Sequence, residues 1–230
     1  MSEYLIFTLT ASLAAMGDLA GHERRGSLGW PGRSALLGLL GAAMGVTRDG
    51  DFAALDVLHL AVAVFDPGQP LRDYHTVETV PTAAARRPQS RPEAMALAKG
   101  KTNTTITLRD YRMAPLYGVA VWGGDLAALK AALERPSFTL YLGRKSCPLA
   151  APVGASIVEA ARPETALTLL RLPPWRKAAS AATLVLDASD KASPRRTEQR
   201  HDQPLDRVKW HFSPRQMAFQ DVRIAPGNRV

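Results

Sequence analysis

A tyrosine and a histidine stand side by side in the stretch LRDYHTV, residues 71–77. With a lysine such as Lys145 brought near by the fold, they would suit a metal-independent ribonuclease. His75 would act as the general base, and Tyr74 or Lys145 would stabilise charge. The same side chains suit base stacking and phosphate contact without any chemistry. The stretch therefore indicates either cleavage or binding of RNA.

A second stretch, YLGRKSCPL (residues 141–149), carries two cations and a hydroxyl directly after an apolar segment. On the turn that leaves a strand, Arg144, Lys145 and Ser146 would contact phosphates or sugars. The two cations would also favour the thiolate of Cys147 as a nucleophile. Small apolar residues at such positions usually fill the core, so we favour a buried Cys147.

The third stretch, PGRSALLGLLGAAMG (residues 31–45), has the apolar spacing of a helix but contains glycines. Each interior glycine costs about 1 kcal/mol relative to alanine, so a neighbour must approach this backbone closely. We predict a helix over 34–44, with Ser34 as its N-cap and Gly45 as its stop. Its small-residue stripe would pack tightly on a sheet, and its first N–H groups, beside Arg33, would bind a phosphate. The stripe consists of Ser34, Gly38, Gly41 and Gly45.

The rest of the sequence offers little catalytic chemistry. It contains no paired carboxylates with a clear role, no Walker loop and no nucleophile elbow. The histidines lack the spacing of metal ligands, so we predict no metal site, no cofactor and no enzyme. These histidines are His22, His59, His75, His201 and His211.

Alternating strands and helices must position the three stretches. Apolar patterns predict strands over residues 3–11, 57–65, 117–122 and 137–143. They predict helices over 34–44 and from Asp125 to before Pro136, the second with Leu126, Leu129 and Leu133 on its apolar face. The order strand, helix, strand, strand, helix, strand is typical of a ferredoxin-like (RRM-type) α+β domain, which we place at residues 1–150.

A long insertion separates the second and third predicted strands. Its arms, residues 71–80 and 102–111, are strand-like, and the segment between them is rich in proline, alanine and cations. From Pro81 to Arg112, seven Lys/Arg oppose two Asp/Glu, so the charge is 7 − 2 = +5. We predict a basic β-hairpin at residues 71–112, called the thumb, that reaches a partner. Its tip, residues 81–101, is expected to be a disordered loop or a segment ordered only by that partner.

The tetrapeptide LRDY occurs on both arms, at residues 71–74 and 108–111. On antiparallel strands we predict that Arg72 lies opposite Tyr111 and Tyr74 opposite Arg109. Two Arg–Tyr pairs of this kind would stiffen the base of the thumb and aim guanidinium groups at RNA.

Residues 151–230 are predicted to form a small β-rich part. A short helix is expected within 162–170, and strands are expected over 182–187, 207–213 and 217–224. The polar, proline-containing stretch 190–204 is predicted to be mobile.

Composition narrows the class of protein. The 230 residues are 46% hydrophobic and 22% charged, which predicts a folded chain. A net charge of +8 and a pI near 10.0 favour a polyanionic partner, of which nucleic acid is the commonest. The single cysteine excludes an internal disulfide and suggests a reducing compartment. Neither a signal peptide nor a 20-residue apolar run is visible, so we expect a cytoplasmic protein without a membrane partner.

Taken together and in this order, the three stretches resemble the CasD family of type I-E CRISPR Cascade subunits, in the RAMP superfamily. The resemblance covers roughly residues 1–150, and Met16-Gly17 departs from it where the family usually shows Trp-Gly. Under this interpretation the predicted RNA-binding residues are Arg24, Arg25, Ser27, Arg33, Ser34, Arg72, Tyr74, His75, Thr76, Arg109, Tyr111, Arg144, Lys145, Ser146 and Cys147.

The resemblance implies a non-catalytic subunit that grips the 5′ handle of the mature CRISPR RNA (crRNA) and caps the backbone filament of an antiviral complex. Its implied neighbours are the CasC backbone subunit, the large CasA subunit and other Cascade subunits, and the whole complex would hold target DNA. A different subunit would cut the precursor RNA. A sister family of type I-C cleaves RNA itself, so a metal-independent endoribonuclease that processes precursor crRNA is the alternative.

Overall fold

The computed structural model describes residues 1–20, 23–176, 178–188, 194–206, 209 and 211–227. Most of its regular structure is strand. The strands are β1 (Ser2–Thr10), β2 (Leu13–Ala14), β3 (Gly17–Ala20), β4 (Arg24–Ser27), β5 (His59–Asp66), β6 (Gln69–Thr79), β7 (Asn103–Met113), β8 (Leu116–Trp122), β9 (Ser156–Ala160), β10 (Ala181–Asp187), β11 (Arg196–Asp206) and β12 (His211–Ile224). The helices are α1 (Arg33–Met44), α2 (Ala53–Asp56), α3 (Arg91–Ala98), α4 (Leu126–Glu134) and α5 (Pro163–Leu167), with a 3-10 turn at Pro174–Arg176. Within the described chain, no helix is long and apolar enough to cross a membrane.

A seven-stranded sheet forms the centre of the molecule, in the order β11-β12-β10-β5-β8-β1-β9. Every neighbouring pair in it is antiparallel. β1 is buried on both faces: Leu5, Phe7 and Leu9 point into one core and Tyr4 and Ile6 into the other. This explains why its sequence is a continuous apolar run and does not alternate with polar residues.

Two helices cover one face of this sheet. α1 and α4 pack side by side there, and Leu126, Leu129 and Leu133 of α4 are buried as their spacing predicts. Asp125 caps α4, because its carboxylate accepts from the backbone N–H of Ala128 (2.9 Å). The opposite face is rich in alanine and is covered by the short helix α5.

A second sheet has five strands, β2-β7-β4-β3 with β6 paired to β7. β6 and β7 form an eleven-pair antiparallel hairpin from Gln69↔Met113 to Thr79↔Asn103, where the arms of the insertion are predicted. β4 runs parallel to β7 at the base of this hairpin. The predicted structureless tip contains helix α3, with Ser90 as its N-cap.

The two ends of helix α1 differ in how well they agree with the prediction from the sequence. Gly45 stops it in the left-handed conformation (φ 80°), as predicted. Ser34 is not its N-cap: that position is Gly32, which provides no side-chain cap. The tight packing also has a different partner, because a Cβ on Gly41 would lie 2.8 Å from the ring of Phe52, whereas one on Gly38 would meet nothing within 4 Å.

The fourth predicted strand, residues 137–143, is wrong: this segment is irregular, and β9 holds the edge position beside β1. The backbone of this segment forms hydrogen bonds with other parts of the chain. The N–H groups of Ser137 and Phe138 donate to Ala43 and Ala42 at the end of α1, and Leu142 accepts from Ala15. The apolar alternation remains because Leu140 and Leu142 are buried without joining a ladder.

The C-terminal residues are β-rich, as predicted, but they extend the main sheet. Strands β9 to β12 lie in the same sheet as β1, β5 and β8, so the boundary predicted at residue 150 does not coincide with a break in it. The stretch 190–204 is not uniformly irregular: β11 begins at Arg196, while 189–193 lie outside the described residues. Of the strand predicted over 207–213, residues 207, 208 and 210 lie outside them too, and 211–213 begin β12.

Candidate nucleic-acid interface

The two LRDY tetrapeptides lie directly opposite each other at the base of the hairpin. Leu71 faces Tyr111, and Arg72 faces Asp110. The predicted register, with Arg72 opposite Tyr111, is therefore wrong by one residue. The observed register pairs opposite charges across the ladder, which is the more stable arrangement of these two repeats.

Asp110 holds two of the predicted RNA-binding arginines. Its carboxylate accepts from Arg72 Nε (2.8 Å) and from Arg24 Nη2 (2.7 Å). The hydrogen bond from Arg72 is the chief cause that lowers the pKa of Asp110, and Arg24 adds to it. Both guanidinium groups remain largely exposed, so each keeps donors for a phosphate while one carboxylate fixes their position.

Alternation along the strands divides the predicted site between two faces of the hairpin. Arg72, Tyr74 and Thr76 project to the face of Asp110, where the Tyr74 side chain is 70% exposed. His75 projects to the other face, together with Arg109 and Tyr111. Tyr74 and His75 therefore point away from each other, although they are adjacent in the sequence.

The turn after Leu142 reaches the base of the hairpin. The Arg144 guanidinium lies over the ring of Tyr111, 4.5 Å from its centroid. Arg25 lies beside Arg109 in the parallel pairing of β4 and β7, which adds a third cation to this face. Two donors of these arginines, Arg109 Nε and Arg144 Nη1, are buried and have no hydrogen-bond acceptor among the described residues. We name this set, Arg25, His75, Arg109, Tyr111 and Arg144, the His75 face.

The four predicted RNA-binding residues of this turn, 144–147, differ in how exposed they are. Lys145 and Ser146 are exposed, while Cys147 is 1% exposed and fills the core. Gly143 makes the turn fit: its φ is 85°, and a Cβ there would lie 1.8 Å from the carbonyl oxygen of Ala15. The backbone N–H of Cys147 closes the turn on the carbonyl of Arg144 (2.8 Å).

Ser27 has a structural partner. Its hydroxyl accepts from the backbone N–H of Met16 (3.0 Å), which ties β4 to the chain before β3. Met16 itself is buried. The residue that departs from the family pattern is therefore a core residue here.

Arg33 lies in the interior and not on a phosphate-binding surface. It is 8% exposed, and its guanidinium donates to the carbonyls of Leu58 (2.7 Å) and Asp56 (2.6 Å). Burial is the chief cause that lowers its pKa, against the attraction of Asp187. Ser34 follows it on α1 and is half-buried.

The N-terminus of α1 already has an anion. Asp202 of β11 accepts from the backbone N–H of Arg33 (3.0 Å) and from Arg215 through Nε and Nη2 (3.0 Å each). Arg215 Nη1 also donates to Asp187 (2.5 Å). Burial disfavours the charged form of Arg215, but the hydrogen bonds and charges of both carboxylates together raise its pKa. The predicted phosphate site is thus filled by a carboxylate of the chain itself.

Sequence reasoning missed two groups. The cluster of Asp187, Asp202 and Arg215 lies at least 150 residues from Arg33 in the chain, and no local pattern points to it. The role of Asp110 could have been predicted, because the LRDY repeat places an arginine and an aspartate on each arm of the hairpin, where opposite charges can face each other. No cluster of His, Cys, Asp or Glu within the described ranges could hold a metal ion.

Known proteins share both the sequence and the fold. The family described as CRISPR-associated protein (Cas_Cas5) matches residues 4–218. The CRISPR system Cascade subunit CasD of Escherichia coli (strain K12) is 33% identical over 185 residues, which are 73% of this chain and 76% of that protein. These matches confirm the resemblance inferred from the three stretches.

Solved structures give the same result. A chain of a CRISPR RNA-guided surveillance complex has a TM-score of 0.71 at 26% identity, covering 98% of this chain and 95% of that one. A crystal structure of a Cas protein has a TM-score of 0.62 at 24% identity, covering 99% of this chain and 100% of that one, and shows the shared fold.

Proposed function

This chain belongs to the Cas5 family of CRISPR-associated proteins, and from this we propose that it is a non-catalytic Cascade subunit that binds the 5′ handle of the crRNA. In that role it caps the backbone filament, beside a CasC backbone subunit and the large CasA subunit. Target DNA is held by the whole complex. The similarity to the Cascade subunit CasD and to a chain of an RNA-guided surveillance complex supports this assignment.

The fold proposed for this role is a ferredoxin-like domain with a thumb. Strand order β9-β1-β8-β5, with α1 following β1 and α4 following β8, supports the first part. The β6–β7 hairpin, which projects from the end of β5, supports the second. RNA-binding modules of this kind present a sheet or hairpin to single-stranded bases.

The observation that carries the proposal is the contact between Arg144 and Tyr111. It joins two stretches that are remote in the sequence into one cationic and aromatic surface, the His75 face. A phosphate placed there would meet the half-buried guanidinium groups of Arg109 and Arg144, whose buried Nε and Nη1 atoms, respectively, have no acceptor among the described residues. A base would stack on the exposed imidazole of His75.

The opposite face of the hairpin extends the surface. Tyr74 offers a ring for stacking, and Arg24 and Arg72 flank it, held by Asp110. A single strand that crosses the hairpin would contact both faces. Arg33, Ser27 and Cys147 support the fold beneath this surface and do not contact the RNA.

Two features favour binding over cleavage. His75 and Tyr74 project to opposite faces, so they cannot act on one scissile phosphate from this arrangement. The second feature is the fixed pairing of Arg72 and Arg24 with a carboxylate, which suits a static backbone contact. The resemblance of the three stretches implies that a different subunit cuts the RNA, which agrees with both features.

The test incubates the purified full chain with precursor crRNA in EDTA, which still permits metal-free cleavage. We expect intact RNA with the wild type and with His75→Ala. Arg144→Ala should bind handle RNA about tenfold to a hundredfold more weakly, because one charge-assisted contact contributes about 1.5–3 kcal/mol. Its salt dependence should fall by about 0.7 per lost phosphate contact on a single strand.

Arg171→Ala is the matched control, because Arg171 is exposed on a different part of the chain. It should bind handle RNA as the wild type does. A discrete RNA product that disappears in His75→Ala would overturn the proposal in favour of an endoribonuclease. Equal binding by Arg144→Ala and Arg171→Ala would overturn the assigned surface.

A further inference from the structure

The tip of the thumb, residues 81–101, carries a dense positive charge. It holds five Lys/Arg and one carboxylate, Glu93, so its charge is 5 − 1 = +4. All five cations are exposed: Arg86, Arg87, Arg91, Lys99 and Lys101.

Several arginines elsewhere in the chain have a carboxylate partner, which neutralises their charge. Arg24, Arg72, Arg176, Arg200 and Arg215 each form an ion pair with a carboxylate. Within the described part of the chain, none of the five tip cations forms one. Glu93 accepts from the backbone N–H of Gln89 (2.8 Å), so the only carboxylate of the tip is used inside it. The charge of the tip is therefore available to an external anion.

The tip is also a folded segment with its own helix. Ser90 caps α3 by accepting from the N–H of Glu93 (3.3 Å), and Arg91 donates to the carbonyl of Glu78 on β6 (3.0 Å). Ala85 and Ala98 are buried within the tip. The cations thus stand on a folded unit at the end of the hairpin.

The tip contains no aromatic residue and no histidine, whereas the base of the thumb holds Tyr74, His75 and Tyr111. Proteins that bind single strands place aromatic rings where bases can stack. A duplex hides its bases and presents phosphates, so cations without rings suit its backbone. The base and the tip are therefore matched to different forms of nucleic acid.

Distance makes the two regions independent. Seven residues separate the Arg72–Asp110 pair from the last hairpin pair, Thr79–Asn103. At about 3.3 Å per residue this is roughly 23 Å, and the tip lies beyond it. The Debye length is about 8 Å at physiological salt, so charges at the base hardly affect binding at the tip.

From these observations we propose that residues 81–101 bind the phosphate backbone of double-stranded DNA, without reading its sequence, while the base of the thumb remains available to a single strand. This inference does not depend on the handle-binding proposal, because the two surfaces use different residues.

The test compares a tip variant with a control variant of equal charge. The tip variant replaces Arg86, Arg87, Lys99 and Lys101 with Gln, which removes the charge but keeps an unbranched polar side chain at Arg87 and Lys99, where φ is 47° and 46°. The control replaces four exposed arginines outside the hairpin with Gln, namely Arg135, Arg162, Arg171 and Arg223. Binding of the full chain to a scrambled duplex DNA and to single-stranded handle RNA is measured over a series of salt concentrations.

We expect the tip variant to bind the duplex at least tenfold more weakly than the control. Its plot of log K against log salt should be shallower by up to about 3.6, or about 0.9 for each of four lost contacts. Handle RNA should bind the tip and control variants equally. Equal duplex binding by the two variants would overturn the proposal, as would loss of handle RNA in the tip variant alone. Failure of Arg144→Ala to affect handle RNA would refute only the handle-binding surface.

Discussion

Replacing Asp202 should destabilise the fold more than the loss of any surface carboxylate. Asp202 accepts three hydrogen bonds of 3.0 Å, one from the backbone N–H of Arg33 and two from Arg215. The side chains of Asp202 and Arg215 are only 14% and 10% exposed. Asp202→Ala therefore leaves a buried cation with one carboxylate, Asp187, and removes the anion from the N-terminus of α1.

The magnitude follows from these two losses. Breaking a buried ion pair by removing one partner costs about 3–5 kcal/mol, and loss of a helix cap about 1 kcal/mol. Because Asp187 still pairs with Arg215, we expect a total near the lower bound, about 3 kcal/mol. For a chain of this length that lowers Tm by about 6–12 °C. Asp202→Asn keeps an acceptor for Arg33 but removes the charge, so it should lie between the wild type and Asp202→Ala.

The assay is urea unfolding followed by circular dichroism, with Asp221→Ala as the control. Asp221 also pairs with an arginine, Arg195, but both side chains are about 70% exposed. Such exposed pairs contribute about 0–1 kcal/mol. Suppose that Asp202→Ala lowered the free energy of unfolding no more than Asp221→Ala does. The Asp202 carboxylate would then not be the anion that stabilises the start of α1, and this reasoning would be refuted.

Further predictions concern the glycines of α1 and the carboxylate of the hairpin. Gly38→Ala should stabilise the protein by about 0.5–1 kcal/mol in thermal unfolding, since its Cβ would meet nothing within 4 Å. Gly41→Ala should destabilise it by about 1–3 kcal/mol, because its Cβ would lie 2.8 Å from Phe52; a gain in both variants would contradict this packing. The pKa of Asp110 is lowered from its ordinary 3.8, chiefly by the hydrogen bond from Arg72, so its contribution to stability is present above pH 3.8 and is lost as pH falls through the lowered value. Urea titrations should therefore show a stability gap between wild type and Asp110→Asn that closes below pH 3.8 and stays constant above it.

The sequence alone determined the elements whose partners are local or whose pattern is regular. β1, β5, β8, α1, α4 and the arms of the thumb appear where apolar periodicity predicts them, to within about two residues. Gly45 was predictable as a helix stop because only its own backbone conformation matters. The resemblance of the three stretches also indicated the family, since residue types do not depend on tertiary contacts.

Pairing and burial were decided by the tertiary structure. The hairpin register differs from the predicted one by a single residue, because facing charges settled it and not the Arg–Tyr pairs. β9 took the edge position expected for residues 137–143, whose first two N–H groups, of Ser137 and Phe138, donate to the end of α1. A sequence shows which residues alternate, but competition for hydrogen-bond partners selects the strand.

The candidate site shows the same division most clearly at Arg33 and Arg144. Arg33 precedes a serine at the start of a predicted helix, and Arg144 precedes a lysine at the end of a predicted strand. From the sequence, both are equally good candidates for phosphate contacts. Only the fold brings Asp202 to the N-terminus of α1 and buries Arg33, while it leaves Arg144 on the ring of Tyr111. The physical reason is burial: a buried charge needs a partner, and the fold places Asp187 of β10 3.8 Å from the buried guanidinium of Arg33. Arg144 is only half-buried and lies over the ring of Tyr111.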